Sequence, residues 1–237
     1  MCSSDLTDMP MLVKLVKRGG AWVPDRFVRA SDFADRLGQG NNPDWKTVGI
    51  DEATGRVVPP LGTIGYRWGQ KEGEDLGKWN LEAKEGQGGA EVKLALSLLE
   101  RRDEVLPVSF PYFGGIAHEK FPENDQGTDV LVRHVPVKMI RTAEGETRVA
   151  TVFALLVANY GIDRGLGGGA VAASYEDDVP YTPKWQEVIT GVKAADIIAV
   201  ARQFADNADK THGKSMIIIG AAMNHWFHSD MNYRGVI

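Results

Sequence analysis

Apolar positions fall into short runs rather than long ones, and their spacing divides the chain. Met9–Val16 is a short apolar run with Pro10 near its start, compatible with one helical turn or a short buried strand. Ala30–Leu37 predicts a helix, with Ser31 as N-cap and Phe33, Ala34 and Leu37 on one face. Gly38–Pro43 breaks it. Thr47–Ile50 and Arg56–Val58 flank Asp51–Gly55 in a hairpin pattern. Trp79–Leu81 and Val92–Leu98 flank the glycines of Gly86–Gly89, and Val92, Leu94, Leu96 and Leu98 alternate as in a half-buried strand. Asp129–His134 and Val137–Arg141 are two further strand candidates, and Thr142–Thr147 is a turn into the next strand.

Clearer helical signals follow. Thr151–Tyr160 is an apolar run stopped by Gly161. Thr182-Pro183 is an N-cap followed by proline at the first helical position, with Trp185, Val188 and Ile189 on one face. After Gly191, a second helix runs from Ala194 to about Asp206, with Ile197, Ala201, Phe204 and Ala208 at helical spacing. A polar loop, Asp206–Lys214, leads to Ser215–Ile219, an apolar run of the kind buried on both faces of a parallel sheet. Gly220 ends it. The order helix, loop, buried strand and glycine turn makes an α/β unit. The fold class is therefore α/β: residues 7–43 end an α/β segment, 44–148 form an irregular β-rich insertion, and 149–237 begin a Rossmann-like α/β/α domain.

Composition narrows the function. With 237 residues, 43% hydrophobic and 25% charged, the chain can bury a core and is not expected to be disordered. A net charge of −5 without a basic stripe argues against a nucleic-acid partner. No apolar stretch approaches the ~20 residues of a membrane span, and no leader pattern opens the chain, so membrane attachment is expected through a partner. One cysteine, Cys2, excludes an internal disulfide and a self-contained iron–sulfur or cysteine zinc site. Met1–Leu6 reads as an in-frame adaptor remnant or a disordered terminus, and the apolar ending at Ile237 as an element cut short.

Candidate chemistry lies at the carboxyl end of the 215–219 run, where ligands bind in open α/β sheets. Gly220 leaves room for close approach, Asn224 offers a donor and an acceptor, and His225 and His228 can donate, accept or carry a proton. The two histidines share a helical face but lack a third ligand, so hydrogen bonding is the expected role and no metal site is assigned. Gly165–Gly169 follows a helix and lacks the lysine of a phosphate loop, which predicts a flexible loop. His118 and His134 are isolated, and Tyr112–Gly115 is expected to be a packed turn.

The block from Ala208 to His228, running on to Asp230–Gly235, resembles the catalytic alpha subunit of membrane-bound respiratory nitrate reductases, members of the molybdopterin oxidoreductase family. Thr7–Val13, Asn42–Val48, Phe110–Gly115, Ala158–Gly165 and Phe204–Gly213 extend the resemblance over most of Thr7–Ile237. It implies an internal fragment of an enzyme reducing nitrate to nitrite with quinol electrons in anaerobic respiration. The implied cofactors are molybdenum bis(molybdopterin guanine dinucleotide) and a 4Fe–4S cluster. The implied partners are an iron–sulfur beta subunit and a haem-bearing membrane gamma subunit, at the cytoplasmic face of the membrane. It places the cluster and molybdenum ligands before Thr7 and much of the second cofactor site after Ile237. It makes Asn224, His225 and, more weakly, His228 cofactor-pocket residues, with Gly220 permitting close approach and His225 nearest the chemistry. Nitrite oxidoreductase alpha subunits share the pattern. A non-catalytic cofactor-binding module is the other alternative. The fragment alone is expected to be inactive and poorly soluble, with apolar faces left open.

Overall fold

The computed structural model describes residues 8–60, 83–84, 91–112, 130–169, 171–211, 213–220, 223, 225–227 and 229. Leu12–Arg18 (β1) and Ala21–Phe27 (β2) form an antiparallel hairpin through Gly19-Gly20. Thus the Met9–Val16 run resolves as a strand. Short pairs follow: Gly49–Ile50 (β3) with Val57–Val58 (β4), and Ala83–Lys84 (β5) with Glu91–Val92 (β6). Three long strands complete the main sheet, Glu104–Pro111 (β7), Val130–Thr142 (β8) and Gly145–Thr151 (β9). The order β1-β2-β7-β8-β9 closes into a barrel, antiparallel at every seam except β2–β7. Three helices follow: Val152–Asn159 (α1), Pro183–Thr190 (α2) and Ala194–Thr211 (α3). The architecture is mixed α/β.

Period-2 alternation along these strands sorts side chains into two cores. Val13, Leu15, Val108, Phe110, Val135, Val137 and Ala150 pack together, with Ala154, Leu155 and Ala158 of α1 laid against them. Leu12, Ile140 and Val149 point the other way and pack on Val28, Phe33, Val48, Ile50, Ala95 and Leu98. One sheet therefore serves both cores, joining β1 and β2, near the amino-terminal end, to β7–β9.

The 47–58 hairpin forms as its pattern predicts, its turn held by Asp51, which accepts from the Thr54 hydroxyl at 2.5 Å. Thr151 caps α1 through the Ala154 N–H at 3.1 Å, and Gly161, at φ 68°, stops it. Thr182 caps α2 through the Trp185 N–H at 3.1 Å, with Pro183 first in the helix.

Several expectations are corrected. Ala30–Leu37 is not an α-helix: it forms two 3-10 turns, Ala30–Asp32 and Arg36–Gly38, and Ser31 caps nothing. Polar side chains divert the backbone there. Asp32 accepts from the Arg29 N–H at 2.9 Å, Asp35 accepts from the Leu37 N–H at 3.0 Å, and Arg36 and Leu37 turn left-handed. The two strands expected over 129–141 are one continuous strand through Pro136, because β7 pairs with its first half and β9 with its second. β7 itself gave no sequence signal, its alternation being masked by Pro107 and Pro111. Only Val92 of the 92–98 run lies in a strand. Burial of Ala95 between Leu94 and Leu98 breaks the alternation there. α3 continues beyond Asp206 to Thr211, replacing most of the expected polar loop. Ser215–Ile219 forms no strand, since among the described residues no strand offers it a parallel edge. The expectations for Met1–Leu6, Trp79–Leu81, Gly86–Gly89, Phe113–Gly115, His118 and Asp129 lie outside the described residues.

Candidate functional site

The end of α3 fixes the predicted ligand-binding run. Asn207 Nδ2 donates to the Lys214 carbonyl at 3.1 Å and to Ser215 Oγ at 2.9 Å, while Ser215 Oγ donates to the Phe204 carbonyl at 2.8 Å. Gly213 permits the reversal at φ 93°, its N–H reaching the Ala208 carbonyl at 2.7 Å. Beyond this staple the chain stands away from the rest: Met216, Ile217 and Ile218 are exposed, Ile218 at 87%, and so are Trp226 and Phe227. Large apolar side chains at such exposure favour being covered.

Gly220 lies on that surface, and nothing stands within 4 Å of where a Cβ would be. The Met223 N–H turns back to its carbonyl at 3.0 Å. His225 is exposed. Gly220 and His225 are thus both exposed in the stretch beyond Ser215–Ile219. Asn224 and His228 lie outside the described residues. Among the described residues, no three histidine, cysteine, aspartate or glutamate side chains cluster to hold a metal, and no helix is long and apolar enough to cross a membrane.

A second cluster was not foreseen. After α1, Ile162 bridges Ala172, closing the intervening chain into a strap. The Ala172 N–H reaches the Gly161 carbonyl at 2.7 Å, and the Asp163 N–H reaches the Ala172 carbonyl at 3.2 Å. The strap's glycines lie on β8. His134 Nδ1 donates to the Leu166 carbonyl at 2.8 Å, so Nδ1 carries the proton, and Arg133 Nη1 donates to the Gly169 carbonyl at 3.0 Å. A Cβ on Gly168 would come to 3.4 Å from the His134 ring, at φ 98°. Glycine is favoured there by the left-handed backbone conformation, a Cβ otherwise making ordinary contact with the ring. The loop read as flexible is therefore pinned.

Arg164 provides the third pin. Its Nη2 donates to Ser97 Oγ at 2.6 Å, and its guanidinium carbon stands 5.7 Å from the Phe153 ring centroid. Arg133 is 1% exposed. Burial pushes both guanidiniums below their ordinary value. Arg133, His134, Asp163, Arg164, Ala158 and Leu166 are among the residues lining a crevice of about 10 Å³, the room of one water. The signal for it in the sequence was weak: two arginines and a histidine separated by about thirty residues meet only because the strap folds back.

An aromatic clasp ties α2 to the barrel. Tyr181 meets Tyr112, Tyr160 and Trp185 edge-on, at centroid distances of 6.0, 5.9 and 5.5 Å. Its hydroxyl pKa is raised, by burial first and then by Tyr112.

The chain is similar along almost its whole length to longer proteins. It is 53% identical over 232 residues, 98% of its length, to the respiratory nitrate reductase 1 alpha chain of Escherichia coli (strain K12). It is 40% identical over 231 residues to the nitrate reductase alpha chain of Bacillus subtilis (strain 168), and 38% identical over 232 residues to the nitrate reductase alpha subunit of Mycobacterium tuberculosis (strain ATCC 25618 / H37Rv), in both cases over 98% of its length. It spans 18%, 17% and 17% of the lengths of those three proteins. No family model matches it.

Proposed function

We propose that this chain is an internal segment of the alpha chain of a respiratory nitrate reductase, and that the whole protein reduces nitrate to nitrite with electrons from quinol during anaerobic respiration. Similarity to nitrate reductase alpha chains along 98% of the sequence carries this reading. The exposed apolar surface at Met216–Ile218 and Trp226–Phe227 supports it, because a segment of a larger subunit leaves such faces for the remaining chain to cover. The expected Rossmann-like α/β/α layer would be completed there, with Ser215–Ile219 gaining its parallel neighbours from outside this segment. By itself the segment is inactive.

The implied cofactors divide by fit. The resemblance to nitrate reductase alpha chains assigns the molybdenum ligand and the 4Fe–4S cluster ligands to other parts of the subunit. An organic pterin edge fits the open turn, where Gly220 leaves room and His225 stands exposed. When bound, the molybdenum cofactor supplies the electron transfer and oxygen-atom chemistry. In this reading Asn224 and His225 hydrogen-bond its polar edge, His228 contributes more weakly, and His225 stands nearest the reacting anion. The iron–sulfur beta subunit and the haem-bearing gamma subunit are the proposed partners. In this reading they hold the subunit at the cytoplasmic face of the membrane.

Asn224→Ala and His225→Ala, made in the full-length subunit within its complex, test the site. Reduced molybdopterin content or slower nitrate turnover is expected. Unchanged cofactor content and turnover in both variants would remove these residues from the pocket.

A further inference from the structure

We propose that the crevice roofed by the glycine strap is a binding site for a small monovalent inorganic anion, separate from the cofactor turn at Gly220–His225. Two guanidiniums and an imidazole line it, Arg133, Arg164 and His134, against one carboxylate, Asp163. Asp163 is exposed and accepts from the Gly165 N–H at 2.8 Å, which holds it in the strap's own turn. The lining therefore carries an excess of positive charge even with His134 neutral.

Arg164 gives the ligand a place. Its Nη2 is spent on Ser97, but Nη1 is buried with no hydrogen-bond acceptor among the described residues. A buried guanidinium N–H without an acceptor is costly, and sites of this kind hold an ordered water or an ion. Burial already disfavours the charge on Arg133 and Arg164. An anion in the crevice offsets that penalty, and a water molecule does so only through its dipole. The present volume of about 10 Å³ is that of one water, and a halide needs a small outward shift of the lining. Nitrate or nitrite requires the strap to lift, and the backbone there is rich in glycine, with Gly165, Gly167 and Gly168 all at positive φ.

The site is tested by soaking crystals of the full-length subunit in sodium bromide and recording anomalous scattering at the bromine edge. The expected result is a bromide peak within hydrogen-bond distance of Arg164 Nη1, lost in Arg164→Met and lost in wild-type crystals back-soaked with nitrate. Ser97→Ala separates the pin from the site: it removes the acceptor of Nη2 but leaves Nη1, so the peak is expected to remain. A water with no anomalous signal in the wild-type crevice overturns the proposal, as does a peak that persists in Arg164→Met. The inference uses the nitrate reductase reading only to choose the sample. Its readout is density rather than turnover, so absence of the bromide peak from wild-type crystals of a subunit that reduces nitrate sinks this site alone, and a peak in a subunit that does not reduce nitrate sinks the catalytic reading alone.

Discussion

Replacing Asp32 by alanine should destabilise the β1–β9 side of the barrel by about 3 kcal/mol, because it strands a buried ammonium. Lys14 Nζ sits 3.3 Å from Asp32 Oδ1, the two side chains only 7% and 8% exposed. The other carboxylate near Lys14, Glu144, is 3.5 Å away and 79% exposed, a weak substitute. Asp32 also takes the Arg26 guanidinium in two bonds, 2.6 and 2.9 Å, and the Arg29 N–H. Burial alone would raise the Asp32 pKa. The bonds from Arg26, Arg29 and Lys14 overcome it and hold the pKa at about 2, against 3.8 ordinarily. The charge of Asp32 thus contributes about 2 kcal/mol if fully shielded. With Arg26 42% exposed, water reduces this to about 1–2 kcal/mol. The alanine variant adds the stranded Lys14 to that loss. Since the folded pKa is the lower one, the contribution is complete above pH 3.8 and fades as pH falls through 3.8 towards about 2. Hydrogen exchange of the β1 and β9 amides in the full-length subunit is the assay. Opening should become about 100-fold easier in Asp32→Ala, and Lys14→Met in the same background should restore part of the loss. A change below about threefold, or no rescue by Lys14→Met, would refute the reasoning.

Leu12→Ala, at a fully buried position packed among Val28, Ile50 and Val149, should cost about 3 kcal/mol and lower the melting temperature of the barrel, read by calorimetry. Thr182→Ala removes the cap of α2 and the hydroxyl bonds to the Asp177 and Val179 carbonyls, and should cost about 1 kcal/mol, seen as faster exchange in α2 alone. Ile218→Asp should have opposite effects in two settings: the isolated chain becomes more soluble and monomeric by light scattering, while the full-length subunit loses folded yield. Gly168→Val, at φ 98°, should displace the strap, release the Leu166 and Gly169 carbonyls from His134 and Arg133, and make the strap more open to proteolysis, read by limited digestion.

Local signals in the sequence were read well where one residue settles the geometry. Thr182-Pro183, Gly161 and the Asp51–Gly55 turn behave as their chemistry requires. Signals that depend on distant partners were not legible. The five-stranded barrel joins Leu12–Phe27 to strands more than seventy residues later, and no local pattern encodes that pairing. β7 carries two prolines yet is held by β8 along its length. The helix expected at Ala30–Leu37 lost to Asp32 and Asp35, whose carboxylates serve the backbone and the Lys14–Arg26 cluster. Ser215–Ile219 has the composition of a sheet interior, but its hydrogen-bonding partners are not among the described strands. For the site, Gly220 and His225 are exposed beyond α3, and their assignment to a cofactor rests on the resemblance rather than on their geometry. The crevice of Arg133, His134 and Arg164 was hidden because His134 reads as isolated in the sequence and meets Arg164 only through a folded-back strap.

The most direct test of the central claim is a segment exchange. Residues 7–237 replace the matching segment in the full-length Escherichia coli alpha chain, the chimera is assembled with its own partner subunits, and nitrate reduction with quinol as donor is measured. The account predicts a cofactor-loaded chimera that reduces nitrate within about an order of magnitude of the parent. A chimera that assembles and carries its cofactors, yet yields no nitrite, would contradict the assignment of this chain to a working nitrate reductase.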